Sequence, residues 1–354
     1  MSSWRDNLIK TEPYVAGEQP KGGKFIKLNA NENPYPPSPM VEKAIAGFRA
    51  EGLNKYPDAN VAPLCEALAK RAGVDTDNVF AGNGSDEVLA LAFRAFFNSE
   101  LPVLFADVTY SFYPVWCENM GIRYECIPLD DTFNYKAEDY ARPNGGVVIC
   151  NPNAPTTIGR DLGFIRSVLD ANRDSVVIVD EAYVDFGGIS SLPLLSEYDN
   201  LLVVQTFSKS RSMAGMRIGC AFGSKELIAA LRAAKDSYNS YPLDSVAIAA
   251  GIASVSDESY FADTVGKIIA TRDRLTGALR DMGAELPDSS TNFVFARFPG
   301  HSAVDIYNAL KTKGIYVRYF NKPRIDDRLR ITIGTDEETD MLIDNLRCIL
   351  GNNC

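Results

Sequence analysis

Through its middle this chain alternates short unbroken apolar runs with amphipathic stretches. The runs at 102–105 (PVLF), 146–150 (GVVIC), 176–179 (VVIV) and 201–204 (LLVV) carry no polar alternation. That is the pattern of strands covered on both faces. Runs at 79–80, 123–127 and 218–222 complete the set between about 75 and 225. Apolar residues at helical spacing predict helices over 85–97, 110–120 and 162–171. Strand, loop and helix in this order predict an α/β fold, a mostly parallel sheet with helices on both faces.

The flanks read differently. Residues 1–40 are rich in Pro, Asn and Gly and predict an extended arm with turns, not a packed element, joining a small domain. A helix over 38–50 has Pro39 in its first turn, and one over 62–72 closes before Gly73. Towards the C-terminus the pattern predicts helices over 260–282, 302–313 and 337–350 with strands at 292–298, 315–319 and 329–333. The implied division is the arm 1–40, a large α/β domain 41–245 and a smaller α+β domain 246–354.

Charge narrows the partners. The net charge is −10, so no large basic field is available for nucleic acid or an anionic membrane. A phosphorylated ligand has to be held by a few local arginines. The mixed apolar run 89–97 contains Arg94 and is too short to span a membrane. The N-terminal sequence carries no secretory signal pattern. Seven irregularly spaced cysteines without a C-x-x-C pair fit reduced thiols in a cytoplasm. The single histidine, His301, follows Pro299-Gly300 and reads as a loop residue, which leaves no histidine triad and no histidine-ligated metal.

Four candidate sites fall at or just after the carboxyl ends of predicted strands, where open α/β sheets bind ligands. Gly82 to Glu87, directly before a helix, is either a phosphate cradle or a turn with an N-cap. Asn151 to Thr157 is a Pro-rich loop whose asparagines could donate to a ligand oxygen. Asp180 closes a buried strand with Tyr183 three residues on; this suits a ring N–H and its neighbouring oxygen, or a capping Asp beside a half-buried Tyr. Ser208-Lys209 follows the 201–204 run, with Arg217 eight residues beyond Lys209. Lysine, carboxylate and arginine at strand ends are what pyridoxal phosphate needs. The lysine holds its aldehyde covalently, the carboxylate keeps its ring nitrogen protonated, and the arginine takes its phosphate.

The ordered set N-G-S-D-E at 83–87, T-Y at 109–110, N-P-N-A-P-T at 151–156, D-E-A-Y at 180–183, S-K at 208–209 and A-G-M-R at 214–217 resembles the fold-type-I pyridoxal phosphate aminotransferases. Pro13-Tyr14, L-N-A-N-E-N-P at 28–34, K-Y-P-D at 55–58 and L-R-I-T-I-G-T at 329–335 are similar to the histidinol-phosphate aminotransferase branch. The resemblance implies a large α/β/α sandwich domain with a smaller α+β domain. It implies Ser85, Asp86, Ser208 and Arg217 around the cofactor phosphate, Tyr110 stacked on the ring, Asp180 at the ring nitrogen and Tyr183 at the ring oxygen. It makes Lys209, Asp180 and Tyr183 the catalytic set. A tyrosine like Tyr56 reaches the neighbouring subunit's cofactor in that branch, which implies a homodimer. Tyr14, Asn29, Arg318 and Arg330 match the substrate side.

One departure stands out. Ala154 occupies the place of the family's usual ring-oxygen asparagine, so Asn153, Asn151 or Tyr183 alone has to make that contact. The implied reaction is transamination of histidinol phosphate with 2-oxoglutarate in histidine biosynthesis. An aromatic amino acid aminotransferase and a threonine-phosphate decarboxylase share the template, and a cofactor-binding protein without turnover is the non-enzymatic alternative.

Overall fold

The computed structural model describes residues 3–9, 12–14 and 17–351. Its centre is a seven-stranded sheet in the order Val79–Asn83, Ile218–Gly223, Leu201–Thr206, Val177–Asp180, Gly146–Cys150, Val103–Ala106, Tyr124–Ile127. Six strands run parallel and Ile218–Gly223 runs against its two neighbours.

Alternate residues of these strands feed two separate cores. Phe105, Val148, Ile178 and Leu202 pack against the helices Gly84–Phe96, Phe112–Met120 and Lys225–Asp236. Leu104, Ile149, Val179 and Val203 pack against Ala62–Ala72, Leu162–Ala171 and Ser245–Ser256. The unbroken apolar runs arise because both strand faces are covered. Ser38, Asp161, Ser224, Asp244, Ser302 and Thr335 each start a helix by accepting a backbone N–H on the side-chain oxygen.

The smaller sheet has the order Arg318–Tyr319, Arg328–Thr332, Phe293–Arg297, all antiparallel. Helices Glu258–Asp281, Ala303–Thr312 and Asp336–Ile349 pack on it through Ile268, Leu275, Leu310 and Leu342. Among the described residues no helix is long and apolar enough to cross a membrane.

The structure departs from the expectations in four respects. The single strand at 315–319 is broken at Val317: Ile315–Tyr316 pairs with Ile26–Lys27, and Arg318–Tyr319 pairs with Arg328–Thr332. The arm is therefore packed where it was expected to be only extended; Leu28, Asn29 and Asn31 are 2 %, 2 % and 1 % exposed. Two helices, Lys225–Asp236 and Ser245–Ser256, were not expected. The second is apolar nearly all round (SVAIAAGIASVS) because it is enclosed on more than one side, which erases the stripe that marks a surface helix. Five described cysteines are free, but Cys348 on the last helix is disulfide-bonded, so the reading of seven reduced thiols does not hold for it. Cys354 lies outside the described residues.

Candidate active site

A cavity of about 350 Å³ opens at the carboxyl edge of the large sheet. Ser85, Thr109, Asp180 and Lys209 reach it from the ends of parallel strands or the loops after them. Arg217 reaches the same edge for the opposite reason: it precedes the one antiparallel strand, whose first residue, Ile218, pairs with Asn83. The small sheet supplies Arg318 and Arg330 to the cavity, and the arm supplies Tyr14, Asn29, Ala30 and Asn31.

One end of the cavity is built for an anion. The helix Gly84–Phe96 begins here without a side-chain cap, so its first N–H groups retain their capacity to donate. Arg217 sits beside it, 3.3 Å from Asp86 and 3.5 Å from Ser208 Oγ. Two glycines permit this approach. A Cβ on Gly84, whose φ is +81°, would lie 2.6 Å from the Arg217 guanidinium, and one on Gly219 would lie 2.3 Å from the Ser85 nitrogen.

At the other end Asp180 is 3 % exposed. It accepts from the Tyr113 hydroxyl at 2.7 Å and from the Ala182 N–H at 3.2 Å, both neutral donors. Burial pushes its carboxyl up to about 6. A carboxylate placed in this way favours a cationic N–H beside it.

Lys209 lines the same cavity. Its Nζ donates to the Ala30 carbonyl at 3.3 Å and lies 5.8 Å from the centre of the Tyr183 ring. Burial, and then the Arg330 charge, push the amine down to about 8. More of it is free base near neutrality than in an exposed lysine, which is the form that attacks a carbonyl. Asn33 Nδ2 donates to the Lys209 carbonyl at 3.0 Å, so the arm also holds the lysine's backbone.

Aromatic rings form the wall. Tyr110 stands edge-on to Tyr113 at 5.6 Å and donates its hydroxyl to Asp86 at 2.9 Å. Tyr14 stacks on Phe112 at 4.7 Å.

In the small sheet, Arg318 and Arg330 are register partners across two antiparallel strands. Like charges in that register repel, and an anion lying between them would relieve that repulsion. Arg330 donates to the Asn29 carbonyl at 2.9 Å, and its guanidinium lies between the Phe293 and Phe320 rings, at 5.4 Å and 5.5 Å. Its Nε is buried without a hydrogen-bond partner, as is Asn29 Oδ1.

Most of the residues read from the sequence meet here: Tyr14, Asn29, Ser85, Asp86, Tyr110, Asp180, Tyr183, Ser208, Lys209, Arg217, Arg318 and Arg330 all line the cavity. Asn153 does not. Its amide is fully engaged with Val108, Thr156 and Thr109, at 2.8 Å each, and it is the neighbouring Ala154 that lines the wall. Tyr56 is 80 % exposed and stacks on Tyr241, outside this cavity. Asn31, which the sequence reading passed over, donates to the Tyr183 hydroxyl at 2.9 Å. The signal was its place in the N-A-N-E-N-P stretch, whose asparagines are too many for a plain turn.

The side chains present fit pyridoxal phosphate. An arginine, two serines and an uncapped helix start could take its phosphate, a buried carboxylate with only neutral donors could take its ring nitrogen, and the lysine with its lowered pKa lines the same cavity.

Comparison with known proteins agrees with this geometry. The family model described as aminotransferase class I and II matches residues 23–346. The chain is similar to the histidinol-phosphate aminotransferase of Lactococcus lactis subsp. cremoris (strain MG1363), 51% identical over 350 residues, covering 99% of this chain and 98% of that protein. It is similar to the histidinol-phosphate aminotransferase of Acinetobacter baumannii (strain AB307-0294), 49% identical over 98% of this chain and 97% of that one. In structure it is similar to histidinol-phosphate aminotransferase from Sinorhizobium meliloti in complex with pyridoxal-5'-phosphate, with a TM-score of 0.84 and 26% identity, covering 93% of this chain and 92% of that one.

Proposed function

The chain belongs to the class I and II aminotransferases, and we propose that it transfers the amino group of histidinol phosphate to 2-oxoglutarate on pyridoxal 5'-phosphate, a step of histidine biosynthesis. Full-length relatives at about half identity favour this substrate over the aromatic amino acid and threonine-phosphate readings. The observation that carries it is the register pair Arg318 and Arg330 in a chain of net charge −10. Histidinol phosphate has no carboxylate, so its phosphate is the group that such a pair can hold. A guanidinium fork suits phosphate and carboxylate alike, which lets one pocket serve both half-reactions.

In this reading Ser85, Asp86, Ser208 and Arg217 surround the cofactor phosphate, Tyr110 lies against its ring, and Lys209 holds it covalently. Asn153 supports the loop that carries Ala154. Bound pyridoxal phosphate supplies an electron sink for the pair left at the substrate Cα when its proton departs. Asp180 keeps the ring nitrogen protonated, which sustains that sink. Lys209 would hold the cofactor covalently, and its amine, when free of that link, would take the proton from the substrate Cα and carry it onward, acting first as base and then as acid. Its amine at about 8 is suited to move a proton in both directions near neutral pH.

Arg330→Ala is expected to leave bound cofactor spectrally intact and to weaken both histidinol phosphate and glutamate by roughly 2–4 kcal/mol, the scale for losing one partner of a desolvated charged pair. Arg330→Lys recovers only part of this, since a point charge lacks the fork. Steady-state kcat/KM for both half-reactions is the measurement. Normal turnover of histidinol phosphate by Arg330→Ala would remove the phosphate grip from the account.

The reading includes a homodimer in the cytoplasm, divided into an arm 1–40, a large domain 41–245 and a small domain 246–354. The five free thiols support the compartment, and the pairing of Ile26–Lys27 with Ile315–Tyr316 supports an arm joined to the small domain. Tyr56 and Tyr241, stacked at 4.5 Å and both exposed, support a partner subunit over that surface. Mixing Lys209→Ala with Tyr56→Ala is expected to regain activity, because one hybrid site then has both residues intact. No recovery after verified subunit exchange counts against sharing.

A further inference from the structure

Asn31 lies where three parts of the chain meet. It is 1 % exposed, and its φ of +54° is a left-handed conformation that asparagine tolerates better than most residues. Its backbone N–H donates to Thr332 Oγ1 at 3.0 Å, and the Thr332 hydroxyl donates back to Asn31 Oδ1 at 3.1 Å. Asn292 Nδ2 donates to the Asn31 carbonyl at 3.0 Å. Thr332 ends the strand that carries Arg330, and Asn292 lies just before its neighbour Phe293–Arg297.

This reciprocal pair decides which way the Asn31 amide faces. The Thr332 oxygen already accepts from the Asn31 backbone, so its one proton goes to Oδ1. The amide nitrogen is then left to face Tyr183, and it donates to the Tyr183 oxygen at 2.9 Å. A phenol that accepts on that side keeps its own proton for another acceptor. Tyr183 lines the cavity beside Lys209, and the cavity is where that acceptor has room to sit.

We infer that Asn31 is a positioning residue for the reaction: oriented by Thr332, it holds the Tyr183 hydroxyl as a donor into the cavity, toward an oxygen of the bound cofactor. The inference rests on the pyridoxal phosphate reading and deepens it. It also accounts for the absence of the family's usual asparagine at Ala154, since Tyr183 fixed by Asn31 supplies a single well-aimed donor. A donor held on that oxygen favours its negative charge and so lowers the pH at which the bound cofactor's visible absorbance titrates.

The test is a pH titration of that absorbance in the substrate-free holoenzyme, a readout independent of turnover. Asn31→Gly keeps the left-handed backbone and its two backbone hydrogen bonds while removing the amide. Its midpoint is expected to rise by about half a unit to one unit, the size of one hydrogen bond. Thr332→Val, which leaves Asn31 in place but removes its orienting hydroxyl, is expected to shift the midpoint in the same direction, and it serves if Asn31→Gly folds poorly. On a Tyr183→Phe background, Asn31→Gly is expected to add nothing. An unmoved midpoint in Asn31→Gly, or in Thr332→Val where that variant stands in for it, overturns the inference. So does an equal further shift in Tyr183→Phe, which reveals a general effect of packing. A wild-type protein that takes up no absorbing cofactor overturns the cofactor reading, and this inference with it.

Discussion

Lys209→Ala will still bind pyridoxal phosphate, but borohydride will no longer fix it to the chain, and transamination will fall by about 10⁴-fold or more. The variant removes two functions at once. One is the amine that holds the cofactor; the other is the base that moves the Cα proton, a role that alone contributes about 10²–10⁴-fold. The noncovalent contacts proposed for Arg217, Ser85 and Ser208 remain, because the variant leaves those side chains in place. Lys209→Arg is expected to do no better, since a guanidinium stays protonated and cannot add to an aldehyde. Cofactor uptake, borohydride labelling and single-turnover rates read the three effects separately. Label on a different lysine of the wild type would place the chemistry elsewhere.

Asp180→Asn will retain the covalent link while slowing turnover by about 10²–10³-fold, the range for removing one preorganised electrostatic partner. The carboxylate lies at the end of a fully buried strand, and burial, opposed by its hydrogen bonds from Tyr113 and Ala182, pushes it up to about 6. That penalty is relieved when a ring N–H⁺ sits against it, so the ion pair favours the protonated ring. Asparagine keeps the volume and an acceptor for Tyr113 but has no charge to hold a proton on the ring nitrogen. Asp180→Ala is expected to lose cofactor affinity as well, leaving Tyr113 facing a void. Stopped-flow rates of the first half-reaction, with covalent attachment verified, test this. Wild-type rates in Asp180→Asn would show that the ring is not protonated there.

The parts legible in the sequence share a cause. Strands such as Gly146–Cys150 and Leu201–Thr206 are covered on both faces, so their composition alone marks them. That Asp180, Lys209 and Arg217 meet at one cavity was legible because each adjoins the end of a strand at the same sheet edge. Asn31 was not, because its function depends on a hydroxyl 301 residues away that orients its amide. Asn153 does not line the cavity for the converse reason: its local motif suggests a ligand contact, but Thr109 and Val108 from another strand end engage its amide. The break at Val317 was hidden because both halves of that run are apolar enough for one strand, and only their different partners divide them.

A half-reaction reads transamination of histidinol phosphate at this site without interference from later steps. The purified protein, loaded with pyridoxal phosphate, is mixed under single-turnover conditions with histidinol phosphate, phenylalanine, tyrosine or glutamate, and conversion to the pyridoxamine form is followed by absorbance. The account predicts rapid, complete conversion by histidinol phosphate, reversal by 2-oxoglutarate, and slower conversion by the two aromatic amino acids. Conversion by phenylalanine or tyrosine with none by histidinol phosphate would contradict it.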